Sequence, residues 1–198
     1  MDIILLTGTA ECGKTTIANS IKKKLLIDHP KLRIAVASYA NYVKSSASML
    51  FGWDGKKDEK GRNLLQKWGT DIVRNQDPNF WTNSLIQLVC MAQSELDIVI
   101  IDDARFPNEI DLWKLMAKNN SDINVHTVKI LRLNEDGTMY ENSLTPEQRL
   151  HPSETSLDHY KMDIYVLNRH NCIDYYNNSK LVGFTASGRI IDEIFNLG

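Results

Sequence analysis

The chain has 198 residues, which is enough for one domain with a sizeable hydrophobic core. Its apolar share of 42% and charged share of 24% are those of an ordinary globular protein, so neither a disordered nor a fibrous class is indicated. The net charge of −2 offers no basic excess, and we therefore expect no stable nucleic acid partner. The three cysteines are odd in number and widely spaced, which fits neither a disulfide framework nor a zinc site and favours a reducing compartment.

The apolar run that opens the chain is very short, and Glu11 follows it closely. Such a run is neither a signal peptide nor a membrane span. We therefore expect a cytoplasmic protein without a membrane partner, in the host cytoplasm if the protein is viral. The sequence leaves a homodimer open.

Residues 8–15 read GTAECGKT and match G-x-x-x-x-G-K-[ST], the phosphate-binding P-loop. Strand-forming residues 2–6 precede it and a helical pattern follows, which is the context that the motif requires. A chance match on a surface turn is the alternative. Two glycines let the backbone N–H groups turn towards a phosphate, and the following helix adds the positive end of its dipole. The residues assigned to ATP in this stretch are Gly8, Glu11, Cys12, Gly13, Lys14, Thr15 and Thr16. Thr15 is also expected to hold Mg²⁺.

Apolar periodicity and turn residues predict alternating helices and strands along the rest of the chain. The predicted helices cover about 14–28, 39–51, 61–76, 79–92, 107–119, 155–161 and 187–196. The predicted strands cover 2–6, 32–37, 97–102, 124–133 and 163–167. This order predicts an α/β protein with the three-layer P-loop NTPase fold, in which a central parallel sheet of about five strands has helices on both faces.

We find no boundary that would divide the chain, so a single domain over 1–198 is expected. Its core would comprise residues 1–37, 97–133 and 160–198. Residues 38–96 form a long helical insertion between two core strands, which favours a role in substrate recognition. The polar, irregular segment 134–156 is typical of an active-site lid.

Within the predicted helix 61–76, four polar residues spaced by four form a stripe opposite the apolar side. The stripe consists of Arg62, Gln66, Thr70 and Arg74. A plain amphipathic helix would also have a polar side, but an outward stripe would usually mix in acids to pair with the arginines. The stripe suits recognition of an anion together with a neutral polar ring.

The apolar strand 97–102 leads into Asp103, Ala104 and Arg105, where the carboxyl ends of parallel strands bind ligands. An acid at this place usually organises Mg²⁺ and its waters, and Asp102 and Asp103 are both candidates. The alternative is a pair of helix-capping or loop acids. Arg105 would bring a cation near the phosphates unless it forms a surface ion pair.

The lid-like segment and the strand before it contribute two further cations, Arg149 and Arg132. Both are candidate phosphate clamps, and solvated charge is the alternative for each. A P-loop, strand-end acids and scattered arginines favour phosphoryl transfer, where catalysis is mostly positioning and charge neutralisation. The predicted catalytic residues are Lys14, Arg105 and Arg149, together with one of the two strand-end acids, Asp102 or Asp103.

Several blocks of sequence resemble the phage-type deoxynucleoside monophosphate kinases over most of residues 1–168. The blocks are residues 38–44, 51–66, 69–74, 77–81, 103–109, 151–154 and 157–158. The resemblance implies a nucleoside-monophosphate-kinase type of P-loop fold that uses ATP and Mg²⁺. It also implies transfer of the ATP γ-phosphate to a small-molecule acceptor, a 5′-deoxynucleoside monophosphate (dNMP), to give dNDP and ADP for DNA synthesis.

Carried over by position, the resemblance favours Asp103 over Asp102 as the metal-organising acid. It assigns Lys44, Arg62, Gln66, Arg74 and Trp81 to the monophosphate-binding region, and Thr70 lies on the same stripe. One departure is that Arg169-His170-Asn171 follow Asn168, where the family tends to have Asn-x-Gly.

Phosphomevalonate and dephospho-coenzyme A kinases have related cores, but we expect the block from Trp53 to Trp81 to set this chain apart from them. Two other functions stay open. One is a P-loop kinase for another acceptor, such as a modified base in DNA, and the other is a nucleotide-gated ATPase. The sequence does not indicate which bases are accepted.

Overall fold

The computed structural model describes residues 1–56, 58–169, 176–177, 180–181 and 186–195. Five parallel strands form the central sheet, in the spatial order β2-β3-β1-β4-β5. They are β1 (Asp2–Thr7), β2 (Ile34–Ala37), β3 (Ile98–Ala104), β4 (Asn124–Leu133) and β5 (Ile164–Arg169). A short antiparallel pair, β6 (Tyr176–Asn177) and β7 (Lys180–Leu181), forms a second sheet. The predicted fold class is confirmed.

The helices lie on both faces of the five-stranded sheet. They are α1 (Lys14–Asp28), α2 (Tyr39–Phe51), α3 (Glu59–Gln66), α4 (Phe80–Met91), α5 (Pro107–Asn119), α6 (Pro146–Arg149), α7 (Pro152–Thr155) and α8 (Ala186–Phe195). A π-helical segment, Lys67–Arg74, continues α3 directly, and a 3₁₀ turn covers Gln93–Glu95. In the described part of the chain, no helix has the length and apolar character that a membrane crossing needs.

Alternate residues of the central strand β1 supply the two halves of the core, because successive side chains of a strand point to opposite faces. Ile4 and Leu6 pack in the cluster that contains α1 and α8. Ile3 and Leu5 pack in the cluster that contains α2, α4 and α5. Because both faces are covered, the strand is apolar along its whole buried length, as expected for a parallel sheet.

Some local predictions differ from the structure. The helix predicted at 155–161 is wrong: α7 is a single turn that starts at Pro152 and ends at Thr155. Its start is set by proline at the first helical position and by the His151 side chain, which accepts a hydrogen bond from the Ser153 N–H. The strand predicted to end at residue 102 continues to Ala104 as β3.

The predicted helix 61–76 is divided into α3 and the π-helical segment. The Trp81 indole donates to the Gly69 carbonyl over 2.9 Å, and a side chain that bonds a carbonyl in this way draws it out of the regular helical ladder. Gly69 also lies so close to α2 that a Cβ atom there would be 2.9 Å from Val43. The wider turn therefore sits where α2 and α4 press on this segment.

Candidate active site

The loop after β1 has the backbone geometry that a phosphate cradle needs. Gly8 and Gly13 have φ angles of 143° and 96°, which disfavour any residue with a side chain. A Cβ atom at Gly8 would also lie 2.5 Å from the Ile130 carbonyl oxygen of β4. Glu11 is left-handed as well, with a φ of 63°. The loop therefore turns back on itself and presents its N–H groups at the start of α1.

The Lys14 side chain bonds to backbone carbonyls on the inner side of this loop. Its Nζ donates to the carbonyls of Gly8 (2.8 Å) and Thr9 (2.7 Å) and lies 3.6 Å from Cys12 Sγ. Burial lowers the pKa of Lys14, and the nearby Arg105 adds to the effect. The ammonium group is thus fixed at the centre of the cradle, where an anion would gain most from it.

The loop is also tied to the last strand of the main sheet. Asn168, in β5, donates from Nδ2 to the Cys12 carbonyl over 2.8 Å, and it lies 2.7 Å from the place of a Cβ atom on Gly13. The structure therefore gives Asn168 a role in shaping the loop. His170 and Asn171, which follow it in the departure from the family pattern, lie outside the described residues, as does Cys172.

The two strand-end acids have different surroundings because neighbouring residues of β3 face opposite sides of the sheet. Asp102 accepts a hydrogen bond from the Thr15 side chain, and burial raises the pKa of its carboxyl. Asp103 accepts from Ser38 Oγ (2.7 Å) and from the N–H groups of Tyr39 (2.9 Å) and Ala40 (2.8 Å). Asp103 thus caps the N-terminus of α2, and Asp102 is the acid beside the P-loop threonine.

A cavity of about 470 Å³ lies between the helical insertion, the β3–α5 turn and the lid-like segment. Five of the six predicted acceptor-binding residues line it, and so does one predicted catalytic arginine. These residues are Lys44, Arg62, Gln66, Thr70, Arg74 and Arg105. Tyr39, Val43, Leu65 and Phe106 add apolar and aromatic walls. A cavity of this size and mixture is typical of a small-molecule site.

Trp81 is not brought to the cavity. Its side chain is 3% exposed and packs edge to face against Trp68 and Phe80, at centroid distances of 6.5 and 4.9 Å. Its indole N–H is used by the Gly69 carbonyl. The structure therefore places Trp81 in the core beneath the stripe.

The polar stripe faces the cavity through both helix types. In an α-helix, a step of four residues overshoots a full turn by about 40°. In a π-helix each turn contains more residues, so the same step of four falls short of a full turn. The rotation of the stripe around the α-helical part is therefore offset by the opposite rotation around the π-helical part. Gln66 sits at the junction, and Arg62 and Arg74 consequently line the same cavity from the two ends of the stripe.

Arg74 is held on two sides and has a donor group to spare. Its Nη2 donates to Glu109 Oε1 over 2.5 Å, and its guanidinium lies 4.3 Å from the centre of the Phe106 ring. Its Nη1 is buried and has no hydrogen-bond partner among the described residues. Buried donors are normally satisfied, so this nitrogen is a candidate hydrogen-bond donor to a bound anion.

Arg105 connects the cavity to the P-loop. Its guanidinium donates to the Ser153 carbonyl (3.1 Å) and pairs with Glu154 of α7. The other oxygen of Glu154 accepts the Ala10 N–H over 2.8 Å. One carboxylate from the lid-like segment thus holds both a P-loop amide and the arginine.

The lid-like segment has a second attachment at Glu11. The Glu11 carboxylate accepts from the Tyr140 hydroxyl and from the Ser143 N–H and hydroxyl. Arg132 donates to the Glu11 carbonyl over 2.6 Å and stacks on Tyr140 at 3.8 Å. Arg149 donates to the Asn142 carbonyl inside the segment over 2.8 Å and does not line the cavity. Of the two candidate clamps, Arg132 is the one at the P-loop.

Sequence reasoning gave no role to Glu109, Glu154 or Asn168. Each is a partner to a predicted residue across 35 or more positions, and one sequence carries no signal for such pairs. Glu109 and Glu154 do lie in the blocks that carried the family resemblance, which was a usable pointer.

The fold, the P-loop and the strand-end acid beside it define a P-loop kinase. The sequence model of the phosphomevalonate kinase family matches residues 6–120, and the chain belongs to that family. The matched range includes the block from Trp53 to Trp81, so the expectation that this block separates the chain from phosphomevalonate kinases is wrong. No curated protein matches the chain.

Two solved structures are similar to this chain. The tunicamycin resistance protein of Deinococcus radiodurans is similar over 98% of this chain and 94% of its own, with 12% identity and a TM-score of 0.51. At that identity the likeness concerns the fold alone. The APS kinase of Mycobacterium tuberculosis is similar over 79% of this chain and 92% of its own, with 13% identity and a TM-score of 0.36.

Proposed function

We propose that the protein is a deoxynucleoside monophosphate kinase that transfers the γ-phosphate of ATP to a 5′-dNMP. The observation that carries the proposal is the cavity beside the P-loop, which is lined by Arg74, a residue with a buried nitrogen, Nη1, that has no partner among the described residues. A phosphomonoester is the acceptor chemistry that such an arginine suits, because its oxygens can accept from the planar guanidinium in fixed geometry.

The rest of the cavity favours a nucleotide over a simple phosphate ester. Gln66 offers both a donor and an acceptor, which matches the mixed edge of a nucleobase. Phe106 and Leu65 provide surfaces on which a flat ring can pack. Arg62 and Lys44 add positive charge for the acceptor phosphate or for the transfer step.

In the proposed reaction an oxygen of the acceptor phosphate attacks the γ-phosphorus of ATP. The new P–O bond forms as the bond to the β–γ bridging oxygen breaks, which gives dNDP and ADP. No general base is needed, because a phosphomonoester is largely ionised at neutral pH. The protein's task is to align the two groups and to stabilise charge on the transferred group, with Lys14 on the donor side and Arg105 between the sites.

The residues present also fit ATP with Mg²⁺. The loop from Gly8 to Thr16 would hold the donor phosphates, with Arg132 beside it. Thr15 and Asp102 would hold Mg²⁺, which supplies neutralisation of phosphate charge when bound. We prefer Asp102 to Asp103 for this role because the oxygens of Asp103 already accept three hydrogen bonds at α2.

We further propose that residues 38–96 form the acceptor-binding region and that residues 134–156 act as a lid on one kinase domain. The contacts of the lid-like segment with Glu11, Ala10 and Arg105 support this division. A closed lid would keep water from the γ-phosphate and so limit wasteful hydrolysis.

Phosphomevalonate is the second candidate acceptor, and the family match favours it. It is also a phosphomonoester, so Arg74 would serve either compound. An acyclic acid, however, has no ring for the amide of Gln66 and the apolar walls to recognise. The two candidates therefore agree on the phosphate site and differ in what fills the rest of the cavity.

The test is a coupled ADP-release assay with ATP, Mg²⁺ and a panel of all dNMPs, rNMPs, modified dNMPs and phosphomevalonate. We expect turnover with one or more dNMPs. Turnover with phosphomevalonate alone would establish the second candidate, and hydrolysis of ATP that ignores every acceptor would favour a nucleotide-gated ATPase. Activity on DNA in place of free nucleotides, lost steeply as salt is raised, would favour a DNA-base acceptor.

A variant of Lys14 tests the proposed ATP side of the site. Lys14→Met keeps the length of the side chain and removes its charge, so we expect turnover to fall by at least about 10²-fold. The matched control is Lys23→Met on the exposed side of α1, which should keep full activity. Equal activity of the two variants would contradict the assignment of Lys14.

A further inference from the structure

Glu109 is an almost wholly buried carboxylate, 1% exposed, at the start of α5. Its Oε1 accepts from Arg74 Nη2 over 2.5 Å. Its Oε2 accepts two backbone N–H groups, those of Arg105 (2.6 Å) and Phe106 (3.1 Å). One side chain therefore touches the arginine of the acceptor cavity and also the backbone that carries the arginine beside the P-loop.

Glu109 and Phe106 hold the Arg74 guanidinium from two sides. Phe106 covers one face of the guanidinium at 4.3 Å, and Glu109 takes Nη2. The Nη1 atom is buried without a partner among the described residues, and Arg74 lines the cavity. The carboxylate and the ring together thus fix the guanidinium at the wall of the cavity.

We propose that Glu109 is a positioning residue that fixes Arg74 and the Arg105 backbone in one spacing, and so sets how far the acceptor phosphate lies from the group that is transferred. The inference rests on the proposed function only in requiring a phosphomonoester acceptor. It holds for a dNMP and for phosphomevalonate alike.

Helix capping alone does not account for this arrangement. Glu109 is the third residue of α5, and a capping carboxylate there needs only to reach the amides at the helix start. Capping residues usually do so at the surface, whereas burial of an ionised carboxylate is costly unless it is paired. Pairing with Arg74 offsets that cost, and it links the cap to the cavity. Phosphoryl transfer is sensitive to such spacing, since a shift of about 1 Å can lower a rate by about 10²-fold.

Three variants separate positioning from folding. Glu109→Gln removes the charge and keeps the shape. Glu109→Asp keeps the charge but shortens the side chain by one methylene, which draws the carboxylate back from the guanidinium. Arg74→Lys keeps a cation beside Glu109 and loses the planar fork.

For Glu109→Gln we expect kcat/KM for the acceptor to fall by about 10²-fold, with the KM for ATP changed by less than about twofold. Glu109→Asp should raise the acceptor KM by about tenfold with little change in the melting temperature. In the Arg74→Lys background, Glu109→Gln should add less than about threefold to the acceptor KM, because its effect on acceptor binding passes through Arg74.

The matched control is Asp97→Asn. Asp97 also pairs with an arginine and accepts a backbone N–H, both from Arg33, but it lies outside the residues that line the cavity. Its removal should leave both KM values unchanged. The same loss of acceptor affinity in this control would show that the effect is a general one of stability.

The inference is overturned if the Glu109 variants turn over the acceptor as the wild type does. It is also overturned if the losses from Glu109→Gln and Arg74→Lys multiply independently, or if Glu109→Gln raises the two KM values equally. A wild type that is inert towards every phosphomonoester would instead refute the proposed function. If Glu109→Gln does not fold, Glu109→Asp decides the question through its acceptor KM.

Discussion

Two neighbouring acids at the end of β3 differ in what they touch because alternate residues of a strand face opposite sides. Asp102 meets Thr15 at the P-loop, and Asp103 meets the first amides of α2. The same strand therefore contacts the P-loop with one residue and fixes the start of α2 with the next. A shift of one residue in the strand would exchange these environments.

Asp102→Asn should lower kcat by about 10²-fold or more while leaving the melting temperature close to that of the wild type, because it removes the negative charge proposed to hold Mg²⁺. Asp103→Asn should instead lower the free energy of unfolding by about 0.5–2 kcal/mol, the usual cost of a weakened helix cap, with a smaller effect on kcat. Steady-state kinetics at varied Mg²⁺ and thermal unfolding of both variants test this. The reverse pattern would return the metal-organising role to Asp103.

Asp97 provides a prediction of pH dependence. Hydrogen bonds and the charge of Arg33 lower the pKa of Asp97 from 3.8 to about 2. Because the folded-state pKa is depressed, the stabilisation is present above pH 3.8 and is lost as the pH falls through about 2. Asp97→Asn should therefore melt below the wild type at pH 7, by no more than about 4 °C for this exposed pair, and most of this difference should be gone at about pH 2, where the folded-state carboxyl is half protonated. A difference at pH 2 as large as that at pH 7 would contradict the assignment.

At the scale of elements, the acceptor side depends on the joint between α3 and the π-helical segment. The joint keeps the polar stripe on one side of the helix. Trp81 supports the π-helical segment from the core side, through its hydrogen bond to the Gly69 carbonyl. Trp81 is therefore expected to matter for acceptor binding only through the position of this joint.

Gly61 of α3 has no room for a side chain. A Cβ atom there would lie 2.1 Å from the Lys56 carbonyl oxygen and 2.9 Å from the Trp53 indole nitrogen. Because one of these atoms is backbone, Gly61→Ala should cost about 1–3 kcal/mol in the free energy of unfolding and raise the acceptor KM as α3 moves. Denaturant unfolding and acceptor kinetics measure this. Lys60→Ala, at an exposed neighbouring position, should stay within about 0.5 kcal/mol of the wild type.

The sequence was informative where function depends on local spacing. Each of these patterns lies within a short stretch of sequence: the P-loop motif, the apolar strands and the four-residue spacing of the stripe. Their placement in the structure follows from this local spacing. The π-helical segment escaped prediction because a spacing of four is compatible with either helix type. Trp81 shows the second limit: an aromatic residue at helical spacing has the same pattern in a core and in a pocket. The third limit is distance along the chain, as for the pair of Arg105 and Glu154.

At the scale of the whole molecule, β1 lies in the middle of the sheet, between β3 and β4. The direction of the chain reverses about this strand, and ligands in open α/β sheets bind at such switch points. The P-loop follows β1 and the two acids lie near the end of β3, so the proposed donor site is at this crevice. The acceptor cavity opens next to it because the helical insertion follows β2, on the far side of β3.

Ligand binding to this site should stabilise the fold. At a concentration about 100-fold above its dissociation constant, a non-hydrolysable ATP analogue with Mg²⁺ contributes about 2.7 kcal/mol. For a chain of this size that corresponds to a rise in melting temperature of about 5–10 °C. A thermal shift assay measures it, with Lys14→Met as the comparison that should respond far less. An equal shift in that variant would mean that the nucleotide binds elsewhere.

The bond from Asn168 to the Cys12 carbonyl has a consequence for the protein during its synthesis. The first fifteen residues contain the whole P-loop motif, yet β1 is paired only with strands that are made later, and the loop is completed by a residue near the end of β5. A nascent chain on the ribosome therefore carries the motif long before it has the site. We therefore expect the proposed nucleotide site to take shape only when nearly the entire sheet has emerged, and an unfinished chain to bind ATP poorly.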